Sequence, residues 1–200
     1  MNKGILLIVS GPAGSGKGTV VKKLVKTNDD YVLSISATTR APRPGEADGT
    51  DYFFVTRDKF EQKIKHGEML EYAEYVGNYY GTPMEFVVRN LENGKNVILE
   101  IETVGALQIK QKMPQATLVF LCPTDRKTLE ARLRGRGTEN ENIIQKRLEK
   151  AEKELECLDK YDYLIINEND CPDKAALQID AIVTAEKCKY QKQKFANYFY

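Results

Sequence analysis

Tryptophan is absent from this sequence of 200 residues, histidine occurs once and cysteine four times. The one histidine, His66, lies in the lysine-flanked segment 63–67, which is typical of a solvated helix end, so we expect no catalytic or metal-binding role for it. The cysteines form no C-x-x-C pair, which argues against a disulfide framework and against a zinc site. Reduced thiols in the cytoplasm are therefore expected for Cys122, Cys157, Cys171 and Cys188.

The chain also lacks an excess of either charge and a long apolar run. Thirty basic and 29 acidic residues leave a formal charge of +1, so any anion binding must be local. No apolar run approaches the roughly 18 residues that span a bilayer, and the first residues do not resemble a signal peptide. We expect a single-domain cytoplasmic protein that binds neither nucleic acid nor membrane, as a monomer or a homodimer.

One glycine-rich stretch stands between the apolar run Ile5–Val9 and a segment patterned as a helix. It reads Gly11-Pro12-Ala13-Gly14-Ser15-Gly16-Lys17-Gly18-Thr19. Its glycines allow backbone N–H groups to point into one concavity, which the positive end of the next helix also faces. Lys17 can follow a β- or γ-phosphate, and the hydroxyl for Mg²⁺ comes from Thr19 or is replaced by water, because Gly18 follows the lysine. The stretch predicts a phosphate-binding loop, with a plain glycine-rich turn as the alternative.

Strand and helix signals alternate along most of the chain. The predicted strands cover 5–9, 31–36, 96–101, 117–122 and 163–166, and the predicted helices cover 17–26, 104–113, 126–134 and 139–158. This order predicts an α/β fold in which a parallel sheet is covered by helices on both faces. Functional residues are then expected beyond the carboxyl ends of the strands.

Residues 37–90 interrupt this alternation. A Pro- and Gly-rich loop precedes short strands at 52–55 and 69–76, with a helix capped by Thr56 between them and a turn at Gly77-Asn78. Thr82 is the predicted cap of a returning helix, with Pro83 in its first position. We interpret the region as an inserted, mostly β subdomain that closes over the crevice.

Charged residues at two strand ends are candidates for the chemistry. Glu100 and Glu102 stand two apart at the end of a strand, so they are expected to face one side of the sheet and hold Mg²⁺ through water or position the acceptor. Arg40 and Arg43 lie three apart in the proline-stiffened loop, where guanidinium groups can grip phosphate oxygens. Solvated acids and ordinary surface arginines are the respective alternatives.

Taken together, the motifs resemble the guanylate kinases, a family of P-loop nucleoside monophosphate kinases. The matching segments are 11–19, 36–43, 51–54, 68–71, 77–82 and 132–139, in family order across most of residues 4–170. The resemblance implies a core (1–36, 91–131 and 159–190), a GMP-binding insertion (37–90) and a helical lid (132–158). It also implies that ATP and Mg²⁺ convert GMP, and dGMP, to the diphosphate in purine nucleotide metabolism.

The resemblance also assigns roles to individual residues. The implied GMP-site residues are Ser36, Arg40, Arg43, Tyr52, Glu71, Tyr80, Thr82, Glu100 and Glu102. The implied ATP-site residues are Gly11, Pro12, Ala13, Gly14, Ser15, Gly16, Lys17, Gly18, Thr19, Arg132, Arg136 and Asn167. Those implied to act in transfer are Lys17, Arg40, Arg43, Arg136 and Arg147. For the metal, the resemblance implies Thr19, with Glu100 acting through water.

Two residues depart from the family pattern. Glu102 stands where the family often has Asp, and Val104 stands where it often has Gln, so the resemblance leaves the guanine and metal contacts of this strand open, although the carboxylate itself is kept. Two other functions remain open at this stage. One is a non-catalytic, guanylate-kinase-like module that binds peptides, against which the intact Lys17 and Glu71 argue, and the other is a P-loop kinase for a different phosphorylated acceptor.

Overall fold

The computed structural model describes residues 3–135, 140–168 and 171–189. The strands are β1 (Leu6–Ser10), β2 (Tyr31–Leu33), β3 (Ala37–Thr38), β4 (Phe53–Phe54), β5 (Met69–Tyr75), β6 (Asn78–Pro83), β7 (Asn96–Glu100), β8 (Thr117–Cys122) and β9 (Tyr163–Ile166). The helices are α1 (Lys17–Thr27), α2 (Arg57–Lys65), α3 (Met84–Glu92), α4 (Thr103–Lys112), α5 (Arg126–Arg134), α6 (Glu141–Leu155) and α7 (Pro172–Cys188). None of the described helices combines the length and the apolar character that a membrane crossing requires.

A central sheet of parallel strands runs in the order β2-β7-β1-β8-β9. Every residue of β1 is buried, because helices cover both faces of the sheet. On one face, Leu7 and Val9 pack with Val20 of α1 and Ile179 of α7. On the other face, Leu6 and Ile8 pack with Val87 of α3 and Ile109 of α4. The predicted α/β fold with a parallel, doubly covered sheet is confirmed.

A second sheet, in the order β4-β3-β6-β5, is formed by the segment that breaks the alternation. Its strands β5 and β6 form a hairpin in which Tyr75 pairs with Asn78, so the connecting residues are Val76 and Gly77. Both have positive φ, 48° and 73°, as the two-residue turn between twisted strands requires. The turn was predicted one residue later, at Gly77-Asn78. Helix α2, capped by Thr56 as predicted, buries Phe60 against this sheet.

Three predicted boundaries are wrong, each for a local reason. The strand predicted over 31–36 leaves the central sheet after Leu33, because the chain crosses to the second sheet at β3. Thr82 does not cap α3; it belongs to β6, its hydroxyl donates to Glu71, and Pro83 takes the cap position. The helix predicted over 139–158 covers Glu141–Leu155, because the side chain of Asn140 caps its start and the chain forms a separate 3₁₀ turn at Leu158–Lys160 after its end.

Candidate functional site

The glycine-rich loop joins β1 to α1 with the backbone that its sequence predicts. Gly11, Gly14 and Gly16 have φ values of 143°, 92° and 89°, a range that side-chain-bearing residues rarely adopt. A Cβ on Gly11 would also overlap the carbonyl oxygen of Leu121 in β8. The Lys17 ammonium donates to the carbonyl oxygens of Gly11 at 2.6 Å and Pro12 at 3.0 Å, so the lysine folds over its own loop.

The back of the loop is held by two residues from distant parts of the chain. Asn167 is buried, and its amide donates to the carbonyl oxygen of Ser15 at 2.8 Å. The Arg132 guanidinium donates to the same oxygen at 3.2 Å and to the carbonyl oxygen of Asn167 at 3.0 Å. Both residues were predicted to contact ATP; in this structure their described contacts brace the loop from behind.

In front of the loop lies a cavity of about 240 Å³, which we call the donor cavity. Its lining consists of Gly11, Ala13, Lys17, Glu100, Ile101, Glu102, Arg147, Lys150 and Glu154. This lining contains three cations, Lys17, Arg147 and Lys150, and three acids, Glu100, Glu102 and Glu154. Such a polar concavity, with inward N–H groups and cations, suits a polyphosphate.

Glu100 ends β7 next to the first turn of α1. Its carboxylate oxygens lie 3.4 and 3.5 Å from the point that a Cβ on Gly18 would occupy. Burial raises the pKa of Glu100, while the charges of Lys17 and Lys22 lower it. Distances of 3.4 and 3.5 Å are ordinary van der Waals contact, so a side chain at position 18 would lie directly against this carboxylate.

Glu102 was predicted to follow Glu100 along one strand, and this prediction is wrong. The sheet ends at Glu100, and Glu102 is the residue that precedes α4, with a side chain 75% exposed. Both acids nevertheless line the donor cavity and also a second, larger cavity. The chain therefore turns out of the sheet after Glu100, and this turn, rather than a shared strand, places both acids in the lining of the two cavities.

The second cavity, which we call the acceptor cleft, has a volume of about 410 Å³ and lies between the two sheets. Of the residues predicted to bind GMP, it is lined by Ser36, Tyr52, Glu71, Tyr80, Glu100 and Glu102. Thr82 lines a smaller adjoining cavity with Ser36 and Tyr52. The acceptor cleft and the donor cavity share Glu100, Ile101 and Glu102 as a common wall.

Glu71 is the buried acid of the acceptor cleft, with 8% of the residue exposed. It accepts a hydrogen bond from the Thr82 hydroxyl at 2.7 Å. Burial raises its pKa, and the contacts with Thr82 and the charge of Lys112 oppose that rise. A Cβ on Gly105 of α4 would lie 3.0 Å from the Glu71 carboxylate, so the glycine leaves room for the acid.

The loop arginines meet at one acid. Glu46 accepts from the Arg40 guanidinium at 2.9 Å and from the backbone N–H of Arg43 at 2.7 Å. The Arg40 guanidinium also lies 5.5 Å from the centre of the Tyr52 ring, and the Tyr52 and Tyr80 rings meet edge to face at 6.1 Å. The hydrogen bond to Glu46 raises the pKa of Arg40, so this arginine is a fixed cation beside the acceptor cleft.

Some predicted site residues line neither cavity. These include Arg40 and Arg43, although the Arg40 guanidinium lies near Tyr52 of the acceptor cleft. Thr19 is exposed on the first turn of α1, and Arg136 lies outside the described residues. Sequence reasoning did not single out Glu46, Gly105 or Lys150. The helical pattern around Gly105 contained one usable signal, since a glycine inside a helix often marks a close approach; nothing in the sequence pointed to the other two.

Comparisons with known proteins find similar sequences and a similar structure over nearly the whole chain. A sequence model described as Guanylate kinase matches residues 3–186. The chain is 50% identical to the guanylate kinase of Halalkalibacterium halodurans over 190 residues, 95% of this chain and 92% of the relative. It is also 50% identical to that of Lactococcus lactis over 92% of this chain and 89% of the relative. The crystal structure of guanylate kinase from Anaplasma phagocytophilum superposes with a TM-score of 0.72 at 33% identity, covering 94% of this chain and 88% of that one.

Proposed function

This chain belongs to the guanylate kinase family, and we propose that it transfers the γ-phosphoryl group of ATP to GMP, and to dGMP, across the wall that its two cavities share. The observation that supports this most is that common wall at the end of β7. A donor held by the glycine-rich loop and an acceptor held by the second sheet would meet there. In-line transfer needs that kind of juxtaposition and little covalent work by the protein.

We assign the donor end to the loop residues Gly11 to Thr19. The loop N–H groups and the dipole of α1 would hold the β- and γ-phosphates, and Lys17 would leave the carbonyl oxygens of Gly11 and Pro12 to bind them. Arg147, which lines the donor cavity, and Arg132 and Arg136 of the proposed lid (132–158) would neutralise charge that develops during transfer. Closing this lid would exclude water.

Magnesium fits the oxygen groups that β7 and α1 present near the loop. Glu100 offers a carboxylate beside α1, and Thr19 offers a hydroxyl on the first turn, a hard-oxygen set that suits Mg²⁺ shared with phosphates and water. When bound, the ion supplies charge neutralisation on the β- and γ-phosphates.

The acceptor end is assigned to the second sheet, which we propose as the GMP-binding insertion (37–90) into a core formed by 1–36, 91–131 and 159–190. Arg40 and Arg43 would bind the GMP phosphate, with Glu46 holding the Arg40 guanidinium and the backbone at Arg43 in place before the substrate arrives. Glu71, set in place by Thr82, would accept from the N1–H and 2-amino groups of guanine. Adenine presents an acceptor at N1 and no 2-amino group, so it would leave the buried carboxylate unpaired.

Ser36, Tyr52, Tyr80 and Glu102 line the same cleft and would complete the GMP contacts. For the cellular setting we propose the cytoplasm, where the four free cysteines are compatible with a reducing environment, and either a monomer or a homodimer.

An acceptor panel tests the proposal directly. With ATP as donor and Mg²⁺ present, a coupled ADP-release assay would compare GMP, IMP, AMP, CMP and UMP. GMP should be fastest, IMP intermediate because it keeps N1–H, and AMP slower than GMP by about 10⁴ in kcat/KM. Equal rates with AMP and GMP would contradict the assignment of the acceptor cleft, and no ADP release with any acceptor would favour a binding module.

A further inference from the structure

An ion pair between Glu102 and Lys150 connects the two halves of the site. The Lys150 ammonium lies 2.8 Å from the Glu102 carboxylate, which links the end of the central sheet to α6. Both side chains are largely exposed, 75% for Glu102 and 53% for Lys150. Glu102 is also the acid that departs from the shorter residue often found in the family.

Each member of the pair also belongs to a ligand cavity. Lys150 lines the donor cavity together with Lys17, whereas Glu102 lines both that cavity and the acceptor cleft. Glu154, one turn along α6, is buried and lies 3.9 Å from Lys150. In this structure Lys150 is therefore held between two acids at the edge of the space proposed for a triphosphate.

We propose that the Glu102–Lys150 pair is a latch that couples binding at the two cavities, an inference that rests on the function proposed above. The guanine 2-amino group has two N–H donors, and the one that does not donate to Glu71 would donate to Glu102 and draw it away from Lys150. A nucleoside triphosphate in the donor cavity would draw Lys150 away from Glu102. Because either ligand breaks the same ion pair, the second ligand finds it already broken and binds more tightly.

The exposure of the pair limits the size of this coupling. Exposed ion pairs are weak, so the gain in affinity for the second ligand should be about two- to fivefold. The neighbouring Lys153 offers a matched control, because it is an exposed lysine on the same helix that lines neither cavity.

Calorimetric titration of GMP measures the coupling as a ratio of two dissociation constants. One is obtained with the free protein and the other with the protein saturated by the non-hydrolysable β,γ-imido analogue of ATP. In the unmodified chain the analogue should lower the GMP dissociation constant about two- to fivefold. Lys150→Gln, Glu102→Gln and the double variant should each bring the ratio to about one, whereas Lys150→Arg, which keeps the pair, and Lys153→Gln should leave it in place.

The results separate the latch from the function on which it rests. Failure of the unmodified chain to bind GMP and the analogue would overturn the proposed function. Binding of both ligands with a ratio of one would overturn the latch alone. The latch would also be overturned if Lys150→Gln and Glu102→Gln kept the ratio of the unmodified chain. An equal fall of the ratio in Lys153→Gln would overturn it too, because any α6 lysine would then have the same effect.

Discussion

The donor end of this site is built mainly from backbone, and the acceptor end is built mainly from side chains. At the donor end, three glycines with positive φ shape the loop, and Asn167 braces it by a bond to a backbone carbonyl. At the acceptor end, the contacts are between side chains, such as Thr82 with Glu71 and Arg40 with Glu46. A backbone cradle accepts any polyphosphate, whereas side chains with fixed donors and acceptors discriminate between bases.

Substitution of Lys17 should break the donor end alone. We expect Lys17→Met to lower kcat by at least about a hundredfold, because a cation that stabilises the transferring phosphoryl group lowers the activation free energy by on the order of 3 kcal/mol. GMP binding, measured by calorimetry, should stay near normal, since Lys17 lines only the donor cavity.

The control for this variant is Lys26→Met, which removes an exposed lysine from the last turn of the same helix. Both variants should melt like the unmodified chain. Near-normal turnover by a natively folded Lys17→Met protein would show that the loop is not the donor site.

Substitution of Glu71 should break the selectivity of the acceptor end. Glu71→Gln replaces one acceptor oxygen by an NH₂ donor, so the side chain can no longer accept from both the N1–H and the 2-amino group of guanine. Hydrogen bonds to a charged group are worth about 1.5–3 kcal/mol, so the ratio of kcat/KM for GMP to that for AMP should fall by at least about tenfold, through loss of GMP activity. Steady-state rates with both acceptors measure this ratio.

Glu74→Gln is the matched control, since Glu74 is an exposed acid of the same strand that lines the same cleft and is assigned no contact with guanine. Its ratio should remain that of the unmodified chain. If Glu71→Gln also leaves the ratio unchanged, guanine is recognised by other residues.

The two ends also differ in how far the sequence predicted them. The loop at 11–19 was predicted because its glycines, lysine and helix are adjacent in the chain, and local backbone rules apply to such a stretch. The parallel sheet was predicted for a similar reason, since each buried strand is a short apolar run. The roles of the individual loop residues remain predictions.

At the acceptor end, contacts between distant residues decided what could be foreseen. Thr82 looked like a helix cap because Pro83 follows it, yet pairing with Glu71 in the second sheet took precedence. Glu102 was placed on a strand because the sequence does not show that the sheet ends at Glu100. The positions of Gly105 and Lys150 depend on how α4 and α6 pack, which no local pattern encodes.

Gly105 allows a finer test of the acceptor end. In Gly105→Ala the new Cβ would lie 3.0 Å from the Glu71 carboxylate, which must then move by a few tenths of an ångström. We expect KM for GMP to rise about three- to tenfold, with KM for ATP unchanged. Thermal stability should hold, because alanine favours the helix by about 1 kcal/mol over glycine. Equal increases in both KM values would indicate a general disturbance of the site rather than a shift of Glu71.

The smallest expected effect concerns the pH dependence of stability. Burial raises the pKa of Glu71 in the folded chain, and Thr82 and Lys112 oppose that rise. The folded protein therefore binds this proton more tightly than the unfolded chain does, and keeping Glu71 ionised costs stability at neutral pH. As the pH falls through the raised pKa towards the ordinary value for glutamate, that cost disappears. Glutamine has no such proton, so the unmodified chain should gain stability on acidification relative to Glu71→Gln.

Melting temperatures of the unmodified chain, Glu71→Gln and Glu74→Gln, taken at about pH 7.5 and about pH 5, measure this difference. Exposed acids whose pKa is lowered by ion pairs, such as Glu46 with Arg40 and Glu68 with Lys63, lose their contribution to stability only below the ordinary pKa of glutamate, and they are present in all three proteins, so they cancel in the comparison. The gap between the unmodified chain and Glu71→Gln should therefore move in favour of the unmodified chain as the pH falls. An equal movement for Glu74→Gln, or a movement in the opposite direction, would show that burial of Glu71 is not its cause, and the acceptor end would then hold its acid without the desolvation that makes an unpaired carboxylate costly.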